Sequence, residues 1–149
     1  MRSKRYYAGS IALFLLTFLI HTPASAQTCR VKTASLGNGS YVYTEVFEAD
    51  YVDSKPEFPG GSPALINFIN ATRHYPQEAY DSGIEGRVTC SFVVSPDGKI
   101  SNIQVLRGVE NTLNDEAVRI VSKMPDWIPG KIAEMPVPVR MICYIPFRK

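Results

Sequence analysis

Residues 86–100 read Gly-Arg-Val-Thr-Cys-Ser-Phe-Val-Val-Ser-Pro-Asp-Gly-Lys-Ile. Val88, Cys90, Phe92 and Val94 alternate with Arg87, Thr89, Ser91 and Val93, the period of two expected of a strand. Ser95-Pro96-Asp97-Gly98 follows with turn chemistry, because proline presets φ and glycine closes the turn. A return strand is expected from Lys99 to about Arg107, with Ile103 and Val105 sharing a face with Ser101 and with Ile100 and Leu106 on the other. The stretch is therefore a β-hairpin, and the rest of the chain must cover it.

Toward the C-terminus, Leu113, Ala117, Ile120, Val121 and Met124 form a helical apolar stripe suited to lying on a sheet. Thr112 is the expected cap, with Asp115 and Glu116 in the first turn, and Pro125 ends the helix. Trp127-Ile128-Pro129-Gly130-Lys131 reads as a turn, Trp127 being expected as a core anchor at the helix end. A last strand is expected over Val137–Phe147, with Val137, Val139, Met141, Cys143, Ile145 and Phe147 on one face. The right-handed crossover preference carries that strand over the hairpin to lie beside its first strand. The expected fold is α+β, a three-stranded antiparallel sheet in the order 2-1-3 with two main helices on one face. The C-terminal strand is then an edge.

Toward the N-terminus, Pro56-Glu57-Phe58-Pro59-Gly60-Gly61 is a rigid corner. Ser62 is the expected cap of a helix with Pro63 at its first position, and Leu65, Phe68 and Ile69 supply a buried stripe ending near Arg73. Tyr75-Pro76 opens a second short helix that Gly83 stops, and the pair is expected to set the chain's path to the sheet. Before the corner, Gly37-Asn38-Gly39-Ser40 signals a turn, and Tyr41–Phe47 is a plausible extra strand.

Residues 1–26 have a basic start, an apolar stretch from Ile11 to Ile20 and Ala24-Ser25-Ala26, the pattern of a removable secretory leader. An uncleaved membrane anchor is the alternative, although the apolar stretch falls short of the ~20 residues a bilayer crossing needs. The expected divisions are a leader at 1–26, an extension at 27–55 and a folded domain at 56–149. Three of the 16 basic residues (Arg2, Lys4, Arg5) lie in the leader, so the remainder carries 13 basic against 14 acidic residues. No basic patch for nucleic acid is left. His21 also lies in the leader. His74 alone, expected at the surface, supports neither a histidine-based triad nor a multi-histidine metal site. Glu57, Glu85 and Asp97 sit on separate turns with no nucleophile and base beside them, so no enzyme activity, cofactor or metal is expected. Of three cysteines, Cys90 and Cys143 are expected on one sheet face, either as buried thiols or as a disulfide.

Proline has no N–H and is tolerated on a strand where the hydrogen-bonding side faces solvent. Pro136, Pro138 and Pro146 bracket the last strand, and all are even-numbered. Backbone groups alternate sides along a strand, so these prolines aim at one flank, expected to be open. Arg140, Ile142 and Tyr144 then offer N–H and C=O groups to an incoming strand. The same prolines also guard an edge against aggregation, and two copies of the edge could pair as a homodimer.

Several pieces together resemble the C-terminal domain of TonB energy transducers, in the form common in Bacteroidetes. They are Pro-Glu-Phe-Pro-Gly-Gly at 56–61, Tyr75-Pro76-x-x-Ala79, Gly83-Ile84-Glu85-Gly86-Arg87-Val88, Phe92-Val93-Val94-x-x-Asp97-Gly98-Lys99-Ile100 and Met124-Pro125-x-Trp127-x-Pro129-Gly130-Lys131. The resemblance implies a periplasmic module that does no bond chemistry. It implies a partner, the Ton box peptide of a TonB-dependent outer-membrane receptor, added as a strand beside the last strand in energy-dependent transport. The family's usual Pro-rich spacer is missing between Ala26 and Glu57. An exported module and a short membrane-anchored transducer, in the inner membrane by an uncleaved leader, are therefore both expectations. Membrane association comes only through a receptor or that leader.

Overall fold

The computed structural model describes residues 28–36 and 40–149, with side chains from residue 45 onward. The leader and the glycines of the 37–40 turn lie outside the described residues. The order is β1 (Thr28–Leu36), β2 (Ser40–Glu48), a 3-10 turn (Ala49–Tyr51), α1 (Gly61–Thr72), α2 (Gln77–Asp81), β3 (Gly86–Val94), β4 (Ile100–Arg107), α3 (Asn111–Ser122), β5 (Lys131–Ile132), β6 (Met135–Pro136) and β7 (Val139–Phe147).

The main sheet has five strands in the order β1-β2-β7-β3-β4. Its β7-β3-β4 half is the antiparallel unit expected, with β3 at its centre. The extension is longer and more integrated than the expected single strand. β1 and β2 form an antiparallel hairpin, and β2 then joins β7 in parallel through Phe47↔Val139 and Glu48↔Arg140. β1 and β2 are thus joined to the domain's sheet, and β7 is not a bare edge.

One face of the sheet carries the helices. Val88, Cys90, Phe92 and Val94 of β3 and Cys143, Ile145 and Phe147 of β7 pack with Ile69 of α1 and with Leu113, Ala117, Ile120 and Val121 of α3. Ser91 and Val93 point to the opposite face of β3, yet they are only 2% and 4% exposed. The β1–β2 hairpin explains this: β1 comes within contact range of β4 although the two strands end opposite sides of the sheet order. The sheet curls so that the hairpin crosses its outer face.

Local chemistry revises several boundaries. α1 begins at Gly61 after Gly60 in the left-handed region (φ 86°), not at a Ser62 cap. The cap of α3 is Glu110, whose carboxylate accepts the Thr112 N–H at 2.8 Å. Strand β4 is bulged, its register against β3 shifting twice, and Asn102 has φ 50°. The bulges rephase the strand, so Ile100 joins Ile103 and Val105 against the core instead of pointing away. At the hairpin turn, Gly98 (φ 85°) lies under Trp127. A Cβ there would fall 2.2 Å from the Trp127 carbonyl oxygen, and the Gly98 carbonyl accepts the Trp127 N–H at 2.8 Å.

The β5–β6 hairpin turns on Ala133 (φ 48°) and Glu134 (φ 63°). Positive φ at both central residues is the type I′ geometry that favours Asn-Gly. Glu134 is exposed and its backbone is strained, whereas glycine adopts this conformation freely. Glu134→Gly is expected to stabilise the fold by about 0.5–1 kcal/mol, seen as a raised urea midpoint. An unchanged or lowered midpoint counts against strain at this turn.

A buried carboxylate ties α3 to the end of α1. Glu116, 8% exposed, accepts the His74 N–H at 2.7 Å and pairs with Arg119 at 2.6 Å, while Arg119 donates to the Thr72 carbonyl at 2.7 Å. Burial pushes the Glu116 carboxyl up, but the Arg119 guanidinium and the His74 N–H outweigh it and hold the group below its ordinary value. A folded-state pKa below the unfolded one stabilises above the unfolded value, ~4.3, and this contribution fades as pH falls through the folded pKa. Glu116→Gln is expected to cost about 2 kcal/mol at neutral pH. The difference from wild type should vanish in acid below the folded pKa. Thermal unfolding against pH checks both; a difference that persists unchanged into strong acid contradicts the ionic origin.

Candidate functional site: the outer flank of β7

The β3–β7 ladder runs without a bulge from Gly86↔Phe147 to Val94↔Val139, so the alternation of backbone groups along β7 is regular. Two hydrogen bonds show where the even-numbered groups point. The Phe47 N–H donates to the Pro138 carbonyl at 2.9 Å from the β2 side. The Arg73 guanidinium donates to the Pro146 carbonyl. The even-numbered groups therefore face away from β3, as the proline positions predict.

That flank is partly taken. Arg140, expected to be open, is covered by its register pair Glu48. The side chains are also joined, with Arg140 Nε donating to the Glu48 carboxylate at 3.2 Å and a second, shorter contact from the same guanidinium. The cause is non-local: the extension returns to the sheet at β7, which no pattern within residues 137–147 could signal. Arg73 closes the far end at Pro146. Between these stops, Ile142 and Tyr144 have no strand partner on this flank among the described residues.

A groove of about 330 Å³ runs along this window. Its far wall comes from Pro56, Phe58 and Trp127 and from Leu65, Ile66 and Ile69 of α1; Met141, Ile142, Cys143 and Tyr144 form the β7 side. Glu57 and Ser62 are the polar residues of the far wall. Ile66, Ile142 and Tyr144 are each about half exposed (57%, 49% and 53%). The Pro56–Gly61 corner matters here because it sets the first turn of α1 at this distance from β7. It is held by Glu57 and Ile128, which exchange N–H···O bonds of 3.0 and 2.8 Å. On the outer face the Arg87 guanidinium lies 4.6 Å from the centre of the Tyr144 ring, an arrangement that stiffens an exposed aromatic. The Ile66 contribution to the groove escapes the sequence reading, since it is an exposed apolar residue outside the core stripes, whereas Ile142 enters that reading for its backbone groups alone.

The cysteines meet as expected. Cys90 and Cys143 are register partners, both buried, and the structure holds them as free thiols. Odd-numbered groups of β7 face β3, so this is a hydrogen-bonded pair with Cβ atoms ~5.5 Å apart. A relaxed disulfide takes ~3.5–4.5 Å. Burial pushes Cys90 up to about 11 and, with Cys90 beside it, Cys143 up to about 12. Neither is a thiolate at neutral pH, and neither is nucleophilic. The side chain of Cys29 lies outside the described residues.

The other candidates do not converge. Glu57, Glu85 and Asp97 are exposed on different turns, Asp97 accepting the Lys99 N–H at 3.3 Å within its own turn. Tyr75 donates to the Ile84 carbonyl at 2.6 Å and stands edge-on to Phe147, which fixes the chain's path to the sheet. His74 is exposed. Trp127 is 6% exposed and packs edge-on against Phe58 and Phe92. Among the described residues no group of three His, Cys, Asp or Glu is placed to hold a metal, and no helix is long and apolar enough to cross a membrane.

A family profile described as "Gram-negative bacterial TonB protein C-terminal" matches residues 71–148. Protein TonB of Pseudomonas aeruginosa is 47% identical over 45 residues, 30% of this chain and 13% of that protein's length. Among solved structures, an NMR structure of the Helicobacter pylori TonB C-terminal domain aligns at 24% identity with a TM-score of 0.46, over 58% of this chain and 90% of that one. A longer version of the same domain aligns at 24% identity and 0.41, over 61% and 88%.

Proposed function

Since this chain belongs to the TonB C-terminal domain family, we propose that it is an exported binding module that takes up the Ton box of an outer-membrane receptor as an added strand on β7. The observation that carries this reading is the unpartnered Ile142–Tyr144 backbone beside an apolar groove. An extended peptide there would bond to the N–H and C=O of both residues and alternate its side chains between the groove and the outer face. Backbone pairing supplies affinity and the groove supplies preference for apolar residues. Such a module transmits force without chemistry, in keeping with the scattered carboxylates and inert thiols. The role proposed for the chain is in energy-dependent transport across the outer membrane, with residues 56–149 as the proposed folded unit and β1 and β2 of the extension paired onto its sheet.

Titration of the purified protein with a labelled Ton-box peptide tests the reading. Saturable binding that a same-composition scrambled peptide does not reproduce supports it, and equal binding of both overturns it. The N-terminal residue of protein isolated from the cell envelope separates two forms of the proposal. Gln27 identifies a periplasmic module, and an intact leader a short transducer anchored in the inner membrane.

A further inference from the structure

We propose that the β1–β2 extension acts as a strap that limits how much of β7 a docked strand can use. This inference rests on the docking reading above and concerns the length specificity of the same flank. β2 occupies the lane an incoming strand would take. It lies on the outer flank of β7, parallel to it, and pairs with Val139 and Arg140 before the chain turns away at Ala49–Tyr51. Two contacts pin it there, the Phe47 N–H on the Pro138 carbonyl and the Glu48 carboxylate on the Arg140 guanidinium. A docked strand is collinear with β2 and must stop short of Glu48. With the strap in place it can pair with Ile142 and Tyr144 only. With the strap lifted, the N–H and C=O of Arg140 become available and the ladder gains a third pairing position. The strap is therefore a competitor for long peptides and indifferent to short ones. The β2–β7 junction itself is short, a two-residue ladder and one partly exposed ion pair, so a peptide that pairs well need open only this end of β2 while the hairpin stays on the outer face of the sheet.

The test compares a receptor peptide of about five residues, enough to cover Ile142–Tyr144, with one of about nine that also reaches Arg140. Both are titrated against the wild-type full chain and against Glu48→Ala. Phe47→Pro, which removes the N–H given to Pro138, serves as a second variant with β7 untouched. The expected result is that both variants bind the long peptide about tenfold more tightly than wild type, as two further backbone hydrogen bonds allow, with the short peptide unchanged. Amide exchange at Arg140 should be faster in both unliganded variants than in wild type. Equal affinity of wild type and variants for the long peptide, with Arg140 exchange accelerated, overturns the strap. If neither peptide binds any form, the docking reading itself fails, a different outcome.

Discussion

Tyr144→Pro is expected to weaken Ton-box peptide binding by at least about tenfold while moving the thermal midpoint by only a few degrees. The substitution removes the N–H at one of the two exposed pairing positions and places a ring in the path of the added strand. The fold has little at stake. Tyr144 is 53% exposed, its backbone groups point away from β3, and its main contact is the Arg87 guanidinium on the outer face. Tyr144→Val keeps the N–H and should bind within a few-fold of wild type, which separates loss of the backbone donor from loss of the ring. Fluorescence titration, with circular dichroism melts alongside, measures both. Wild-type affinity in Tyr144→Pro would remove this flank from the account.

Trp127→Ala is expected to be the most destabilising single change, at about 3–5 kcal/mol. The indole fills the space between Phe58, which precedes α1, and Phe92 on β3, with ring centres 5.7 and 5.2 Å away. It also roofs the β3–β4 turn through Gly98 and contributes to the groove wall. Its Nε1–H has no hydrogen-bond partner within the described chain, so the whole contribution is packing. Trp127→Phe, which forfeits no hydrogen bond, should cost roughly half as much or less. Urea unfolding with an unchanged slope gives these values directly. A cost below about 1 kcal/mol for the alanine variant would mean that the corner and the hairpin are held together by something else.

Features written in local chemistry were legible in the sequence. The β3–β4 hairpin shows in the alternation from Val88 to Val94 and in Pro96-Asp97-Gly98, and α3 shows in the stripe from Leu113 to Met124. The parity of Pro138 and Pro146 points correctly to the flank of β7 that lies away from β3. What stayed hidden depends on geometry without a residue signature. The two bulges of β4, at Asn102 and at Leu106, contain no glycine, and the first is why strict alternation sends Ile100 to the wrong face. The β5–β6 turn uses Ala133 and Glu134 where asparagine and glycine would have announced it. Thr112 looks like a cap because hydroxyls usually are, yet the helix already opens at Asn111 and the Glu110 carboxylate caps it by accepting the N–H of Thr112 itself. The pairing of Glu48 with Arg140 joins residues 92 positions apart, and nothing in either local sequence marks the other. The groove likewise forms only when α1, the Pro56 corner and β7 are assembled.

Amide hydrogen exchange of the full chain, followed residue by residue with and without saturating Ton-box peptide, decides whether a strand is added to β7 at Ile142–Tyr144. The amides of Ile142 and Tyr144 are expected to exchange readily in the unliganded protein and to become strongly protected in the complex, with those of Met141 and Cys143 already protected by β3 in both states. Protection appearing on β4 or β1 with Ile142 and Tyr144 unchanged would contradict strand addition there.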